Sequence, residues 1–427
     1  MDRELALTGT GCVRAYRLYV LGVLLAVYTF NFIDRVGLAI LATPIKAELH
    51  LTDTQLGLLG GTAFAIFYSA LGIAVGWLAD RVNRVWIMTA ALALWSVFTA
   101  VCGLAHGFAA LFAARLAVGV GEAGGVAPAY SLIADYFPRQ SRARAIGFFS
   151  LGVPLGSSLG YFFGGYIATG FGWRAAFVVL GLSGLALAPL LAATVREPAR
   201  GAYERPAPPG SSPSVREVAA TLAAKASFWL LALGAACGSI MGYGLLFWLP
   251  QFFIRSYAMT LAEVSRLLGT LLLIGGIAGI ALGSYLADRL GPRRPAAYAL
   301  IPAVAFICIL PCYLIGTSLS PGPLAYLCFL IPAALQLAWL GPVIAAIQHL
   351  VPATMRALAS ALFLFINNLL GLGLGSLLLG FASEHLAARF GSASLRYAIQ
   401  GGTAFYVLAA ALLLLAARRL GRDFEPH

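Results

Sequence analysis

Four charged residues lie deep inside otherwise apolar stretches of this chain. They are Asp34 and Arg35 in "NFIDRVGLAI" (31–40), and Arg115 and Glu122 in "RLAVGVGE" (115–122). Each costs about 3 kcal/mol or more to place in hydrocarbon, so four together need a reason. Two chemistries fit. A buried carboxyl takes up a proton more readily, an adjacent guanidinium opposes this, and movement of one against the other couples protonation to conformation. Alternatively, Arg35 or Arg115 binds an anionic head group. Asp34 is the first choice for the titrating group and Glu122 the second. Arg115 and Glu122 are seven apart and share a helix face, separated by roughly 10 Å along it. If their helix runs opposite to the first, Asp34 should reach Arg115 and Arg35 should reach Glu122, in one cluster facing a cavity. The bland alternative is a static ion-pair brace.

The elements that must position these groups are helices in a membrane. Of the 427 residues 61% are hydrophobic and 10% charged, with a mean hydropathy of +0.89, whereas soluble domains carry about 25% charged residues. Twelve stretches are long enough to span: 17–44, 56–79, 85–105, 108–135, 145–169, 175–195, 228–254, 266–287, 295–314, 324–347, 358–381 and 397–417. Helices are expected throughout, because open strands leave their backbone groups unpaired in lipid. The polar N-terminus leads into the first stretch, which should serve as its own insertion signal.

The net charge of +12 does not indicate nucleic acid. With both termini on one side, 20 of the 28 lysines and arginines fall there and 6 on the other. That asymmetry places the termini in the cytoplasm. The six cysteines lie in or beside spans and predict neither a disulfide nor a metal site. No nucleophile–base pair or phosphate loop stands out, so no enzyme and no cofactor is expected.

The chain divides into 1–195, a cytoplasmic linker 196–227, and 228–427. The linker contains "ERPAPPGSSPS", which cannot pack a core, and then Val215, Val218 and Leu222 at helical spacing, which predict a short interfacial helix. The halves resemble each other. "GWLADRVNR" (76–84) matches "GSYLADRLGPRR" (283–294), and "PRQSRA" (138–143) matches "PATMRA" (352–357). This is a parallel repeat of six-span bundles, with a substrate site expected between them. Gly152, Gly156, Gly160 and Gly164, spaced by four, read as a close-packing face.

Twelve spans, a central linker and the two "LADR" loops resemble the major facilitator superfamily. "NFIDR", "GWLADRVNR", "RLAVGVGEAGGVAPA" and "GWRAAF" resemble its spinster branch. The resemblance implies an all-α membrane fold of twelve helices in two pseudo-symmetric six-helix bundles, alternating access, and proton coupling through the span 1 and span 4 charges. Animal spinster proteins are linked to lysophospholipid and sphingosine phosphate export, which implies a lipid-like amphiphile as substrate.

Repeat symmetry sets Asp80 beside Arg356, and Asp288 beside Arg142. With Arg81, Arg84 and Arg289 these form a predicted gate on the cytoplasmic side. Substrate-binding candidates are Arg35 and Arg115 for a head group, and Tyr243, Phe247, Gln336, Trp339, Asn367 and Asn368 in a C-terminal half without deep charge. The expectation is a monomer in a bacterial inner membrane, using protons, an amphiphile and surrounding lipid as partners. A proton-independent facilitator, an exporter of another hydrophobic molecule or organic anion, and a lipid-binding receptor are the rivals.

Overall fold

The computed structural model describes residues 2–79, 81–200, 203, 214–291 and 293–424. Among these, regular structure is helical throughout. Ten helical stretches are long and apolar enough to cross a membrane. Two of them, Gln140–Thr194 with 55 residues and Leu358–Asp423 with 66, have about twice the length of one crossing. Each breaks where the sequence ends one span and begins the next. Gly172 (φ 82°) and Gly391 (φ 52°) adopt backbone conformations that a side chain disfavours.

The helices are therefore α1 (Asp2–Leu49), α2 (Asp53–Ala79), α3 (Arg84–Cys102), α4 (Phe108–Tyr136), α5 (139–171) and α6 (173–194) in the first half. The second half contains α7 (Ala226–Tyr257), α8 (Leu261–Leu290), α9 (Ala297–Gly316), α10 (Pro323–His349), α11 (Arg356–Phe390) and α12 (394–423). The short helix Val215–Ala223 precedes α7, capped by Ser214, with Val218 and Leu222 buried against α7 and α11 and Val215 exposed.

Cross-links identify the end that carries the termini. Tyr16 donates to the Thr194 carbonyl (2.9 Å), and Lys225 donates to the carbonyls of Leu350 (2.6 Å) and Asp423 (3.0 Å). At the opposite, far end the "GWRAAF" stretch is a clamp. The Trp173 indole donates to Glu48 (2.6 Å), and Arg174 bonds both Glu48 and the Ala105 carbonyl.

The four-spaced glycines of α5 pack against α1. A Cβ on Gly156 would stand 2.2 Å from the Thr29 carbonyl oxygen, and one on Gly160 would stand 3.1 Å from Ile33 backbone atoms. Side chains there would force the helices apart, which bears out the packing reading of this face.

Arg84, expected at the gate, is instead buried within the first half. Its Nε donates to Glu197 (2.6 Å), and its Nη1 donates to Ser131 (2.8 Å) and Asp135 (2.5 Å). It thus ties the start of α3 to the end of α4 and to the segment after α6. Removing a buried ion-pair partner leaves charge uncompensated. Arg84→Ala is expected to destabilise the protein by about 3 kcal/mol, read as an earlier thermal unfolding transition in detergent. Arg84→Lys should recover only part, since an ammonium lacks the guanidinium's planar fork.

Candidate functional site

α4 is interrupted just after the candidate residue Glu122. It is helical over Phe108–Glu122, turns at 123–125, and resumes at Val126. α10 repeats the device, with Pro323–Leu335, a turn at 336–339, and Leu340–His349. The offset that carries Pro138 to Pro352 and Arg142 to Arg356 also carries Glu122 to Gln336. The repeat therefore sets a carboxylate at one break and an uncharged amide at the other.

One of the two expected ion pairs is closed. Arg35 Nε donates to Glu122 Oε2 at 2.7 Å, and Asn31 Nδ2 donates to the same oxygen at 2.8 Å. The Arg35 guanidinium also lies over the rings of Tyr68 (4.5 Å), Phe64 (4.8 Å) and Phe32 (5.0 Å), which supply cation–π stabilisation. The other pair is open. Asp34 and Arg115 are each 1% exposed, yet both Asp34 oxygens and the Nε and Nη1 of Arg115 have no hydrogen-bond partner among the described residues. Arg115, Thr99 and Trp95 face Asp34, and the Trp95 indole nitrogen and Thr99 hydroxyl are likewise buried and unpaired.

A cavity of about 170 Å³ lies between the halves. Of the substrate-binding candidates, Arg35, Tyr243, Gln336, Trp339, Asn367 and Asn368 line it. Phe247 and Arg115 do not. They border a smaller void on the other side of Arg35, and Phe247 packs over Gly60. The expectation that all four charges face the cavity also needs correction. Neighbouring residues of a helix point about 100° apart, so Arg35 enters the cavity while Asp34 turns toward α3 and α4. Sequence reasoning missed the aromatic wall of Tyr28, Phe32, Tyr68 and Tyr130. In the second half, Ser239 donates to Asn367 Oδ1 (2.9 Å), which fixes that amide against α7. Gln336 Oε1 is buried without a partner. Among the described residues, Arg35 is the charged side chain that lines this cavity.

The arginines expected at a gate lie at the terminal end and show the repeat in their contacts. Arg142 donates to the Ala134 carbonyl (2.7 Å), and Arg356 donates to the Gln348 carbonyl (3.2 Å). Each thus reaches eight residues back, onto the C-terminal turn of the preceding helix, where a cation is favoured. Arg81 donates to the Trp77 carbonyl (2.9 Å), and Arg289 to the Tyr285 hydroxyl (2.6 Å), both four residues back. Asp288 is exposed and forms no ion pair among the described residues. Asp80 lies outside the described residues.

The far end is closed by contacts that the sequence did not reveal. Thr52 and Gln55 form a capping box that starts α2, holding Asp53 at its first position. Asp53 accepts two bonds from Arg255 of α7 (2.7 Å each), one from Lys46 (2.5 Å) and one from Ser383 of α11 (2.8 Å). The Thr54 amide donates to Glu384 (2.9 Å). Behind this latch, Gly61 of α2 meets α11 so closely that a Cβ would stand 2.2 Å from the Leu372 carbonyl oxygen. Gln251 of α7, fully buried, donates to the Ala39 carbonyl of α1 (2.7 Å). The described hydrogen bonds between the halves thus gather on the far side of the cavity.

The family model of the Major Facilitator Superfamily matches residues 24–376. The chain is 34% identical over 398 residues to an MFS-type efflux pump of Mycolicibacterium smegmatis, covering 93% of this chain and 90% of the pump. It is 30% identical over 398 residues to Protein spinster homolog 1 of Mus musculus, covering 88% of this chain and 75% of the mouse protein. A solved bacterial homolog to the human lysosomal transporter Spinster, in an inward-facing and unoccupied conformation, has the same fold. Its TM-score is 0.86 at 32% identity, covering 96% of this chain and 99% of that one.

Proposed function

Because the chain belongs to the Major Facilitator Superfamily, a family of membrane transporters, we propose that it exports a lipid-like amphiphile, of lysophospholipid or sphingoid type, in exchange for protons. One observation carries this reading. Among the described residues, the central cavity sets one guanidinium, Arg35, beside the aromatic wall of the first half and opposite amides and aromatics of the second, and that guanidinium is bonded to Glu122 next to Asp34. Such a cavity suits an anionic or zwitterionic head at α1 and α4 and an apolar tail against α7, α10 and α11. The efflux pump among its relatives supports export.

In this proposal both termini are cytoplasmic, in a bacterial inner membrane, and the protein works as a monomer with twelve spans. Closure at the far end then corresponds to an inward-facing state, in keeping with the likeness to an inward-facing relative. Substrate anion competes with Glu122 for Arg35, and protonation of Asp34 or Glu122 changes which arginine is available. The two halves rock about the fixed site. Asp80, Arg81, Arg142, Asp288, Arg289 and Arg356 meet across the cytoplasmic mouth when it closes.

The test is flux in sealed proteoliposomes with an imposed pH gradient, using a fluorescent lysophospholipid and an organic anion as competing cargoes. Gradient-driven lysophospholipid movement supports the proposal. Movement indifferent to the gradient favours a facilitator, and saturable binding without movement favours a receptor.

A further inference from the structure

A second cavity, of about 590 Å³, opens on the outer surface of the second half, between α8, α9 and α10. Its walls are Leu282 and Leu286 of α8 and Leu300 and Val304 of α9, and Leu335 and Ala338 of α10 form its floor. At the end near the termini it is crowned by Arg293 and Arg294, on the turn between α8 and α9. We propose that this groove is a binding site for one anionic phospholipid from the leaflet on the side of the termini.

Three observations fit that occupant. First, Arg293 and Arg294 are both exposed, and no side-chain hydrogen bond or ion pair engages them among the described residues. Of the other arginines at this end, Arg84 is engaged with Asp135 and Glu197, Arg289 with Tyr285 and Arg356 with Gln348, whereas the exposed Arg418 and Arg419 lie outside the groove lining. Two free forks side by side match a phosphate, which guanidinium binds in a bidentate manner. Second, the lining runs along α9 from Ala297 to Cys308. At 1.5 Å per residue this is about 16 Å, half of a hydrocarbon core about 30 Å thick and so the depth of one leaflet. Third, the groove is sealed from the central cavity. Gly279 and Gly283 of α8 press on Ala334 and Ala338 of α10, where a Cβ would stand 1.8 and 2.4 Å from their carbonyl oxygens. The occupant therefore comes from the membrane. A second copy of this chain related by a two-fold axis would bring four like charges together, which disfavours it.

The groove backs onto the α10 turn. Leu335 and Ala338 face it, while Gln336, Leu337 and Trp339 face the central cavity. A bound acyl chain would thus brace the segment that presents Gln336 to substrate.

The test is retention of lipid by the full-length protein in mixed micelles, counted by native mass spectrometry. Phosphatidylglycerol is compared with phosphatidylcholine of identical chains. The expected result is one phosphatidylglycerol held with at least tenfold preference, lost both in Arg293→Gln/Arg294→Gln and in Val304→Trp, which fills the groove and leaves both arginines. The exposed pair at the same end, changed as Arg418→Gln/Arg419→Gln, should not alter retention. The proposal is overturned if preference survives either groove variant, or if the control pair removes it equally. It is also overturned if inorganic phosphate displaces the lipid from the native protein, or if Val304→Trp instead abolishes a dimer.

Discussion

Asp34→Asn is expected to reduce pH-gradient-driven flux at least tenfold while leaving folding and insertion intact. Asparagine has nearly the shape of aspartate, so packing around Trp95 and Thr99 should be kept. The native carboxyl has both oxygens buried outside hydrogen-bonding distance, with Arg115 as the facing opposite charge. Asparagine forfeits no hydrogen bond there, and Arg115 keeps Glu122 as a counter-charge, so thermal stability in detergent should change little. Glu122→Gln is the contrasting case. Glu122 carries the closed pair with Arg35 and the bond from Asn31, so its neutral variant strands a buried guanidinium. A loss of about 3 kcal/mol or more is expected there. Two assays on two variants separate the roles. If Asp34→Asn removes coupling without a stability change, Asp34 is the titrating group. If Asp34→Asn transports normally and Glu122→Gln alone abolishes coupling, the role passes to Glu122. If Asp34→Asn fails to accumulate in membranes, the cluster is a brace.

The parts of this site that were legible in the sequence share one property: they violate the rules of their surroundings. Asp34, Arg35, Arg115 and Glu122 stand out because charge in a lipid-spanning helix is rare and expensive. Gln336, Asn367 and Asn368 stand out for the same reason in weaker form. The aromatic wall was not legible. Tyr28, Phe32, Tyr68 and Tyr130 have the composition of any membrane helix, where aromatic residues face lipid as readily as cavity. The orientation of Asp34 away from the cavity was equally hidden, since it depends on the rotation of α1 against α3 and α4. Two further signals lie in the sequence. "TDTQ" (52–55) and "TLAE" (260–263) are both capping boxes, and they begin α2 and α8, which are partners in the repeat. The first of them fixes Asp53. Without the fold, Lys46, Asp53 and Arg255 looked like ordinary charges at span ends, because nothing in a linear chain brings residues 202 positions apart into one ion pair.

Arg255→Ala is expected to open the far end. Arg255 joins the two halves through a bidentate pair with Asp53, with its side chain 24% exposed and that of Asp53 6% exposed. Bonds to charged groups contribute about 1.5–3 kcal/mol each when buried. Partial exposure and the remaining Lys46–Asp53 contact reduce the net to about 2 kcal/mol. The pair joins α7 to α2 only while the far mouth is shut, so its free energy belongs to that state alone. Removing it shifts the equilibrium toward far-end opening by roughly thirtyfold, at 1.4 kcal/mol per factor of ten. The measurement is the distance distribution between spin labels at Ala47→Cys and Ser256→Cys, exposed positions at the far ends of α1 and α7. The native protein should show one short population, and Arg255→Ala a second, longer one. Arg255→Lys should fall between them, because an ammonium cannot make the bidentate fork. High salt should lengthen the native distribution in the same direction, since a partly exposed pair is screened. An unchanged distribution in Arg255→Ala would move the work of closure to the glycine seam. There the Gly61 backbone of α2 meets α11 too closely for any side chain, and a bulky residue at that position would then open the mouth that loss of the ion pair could not.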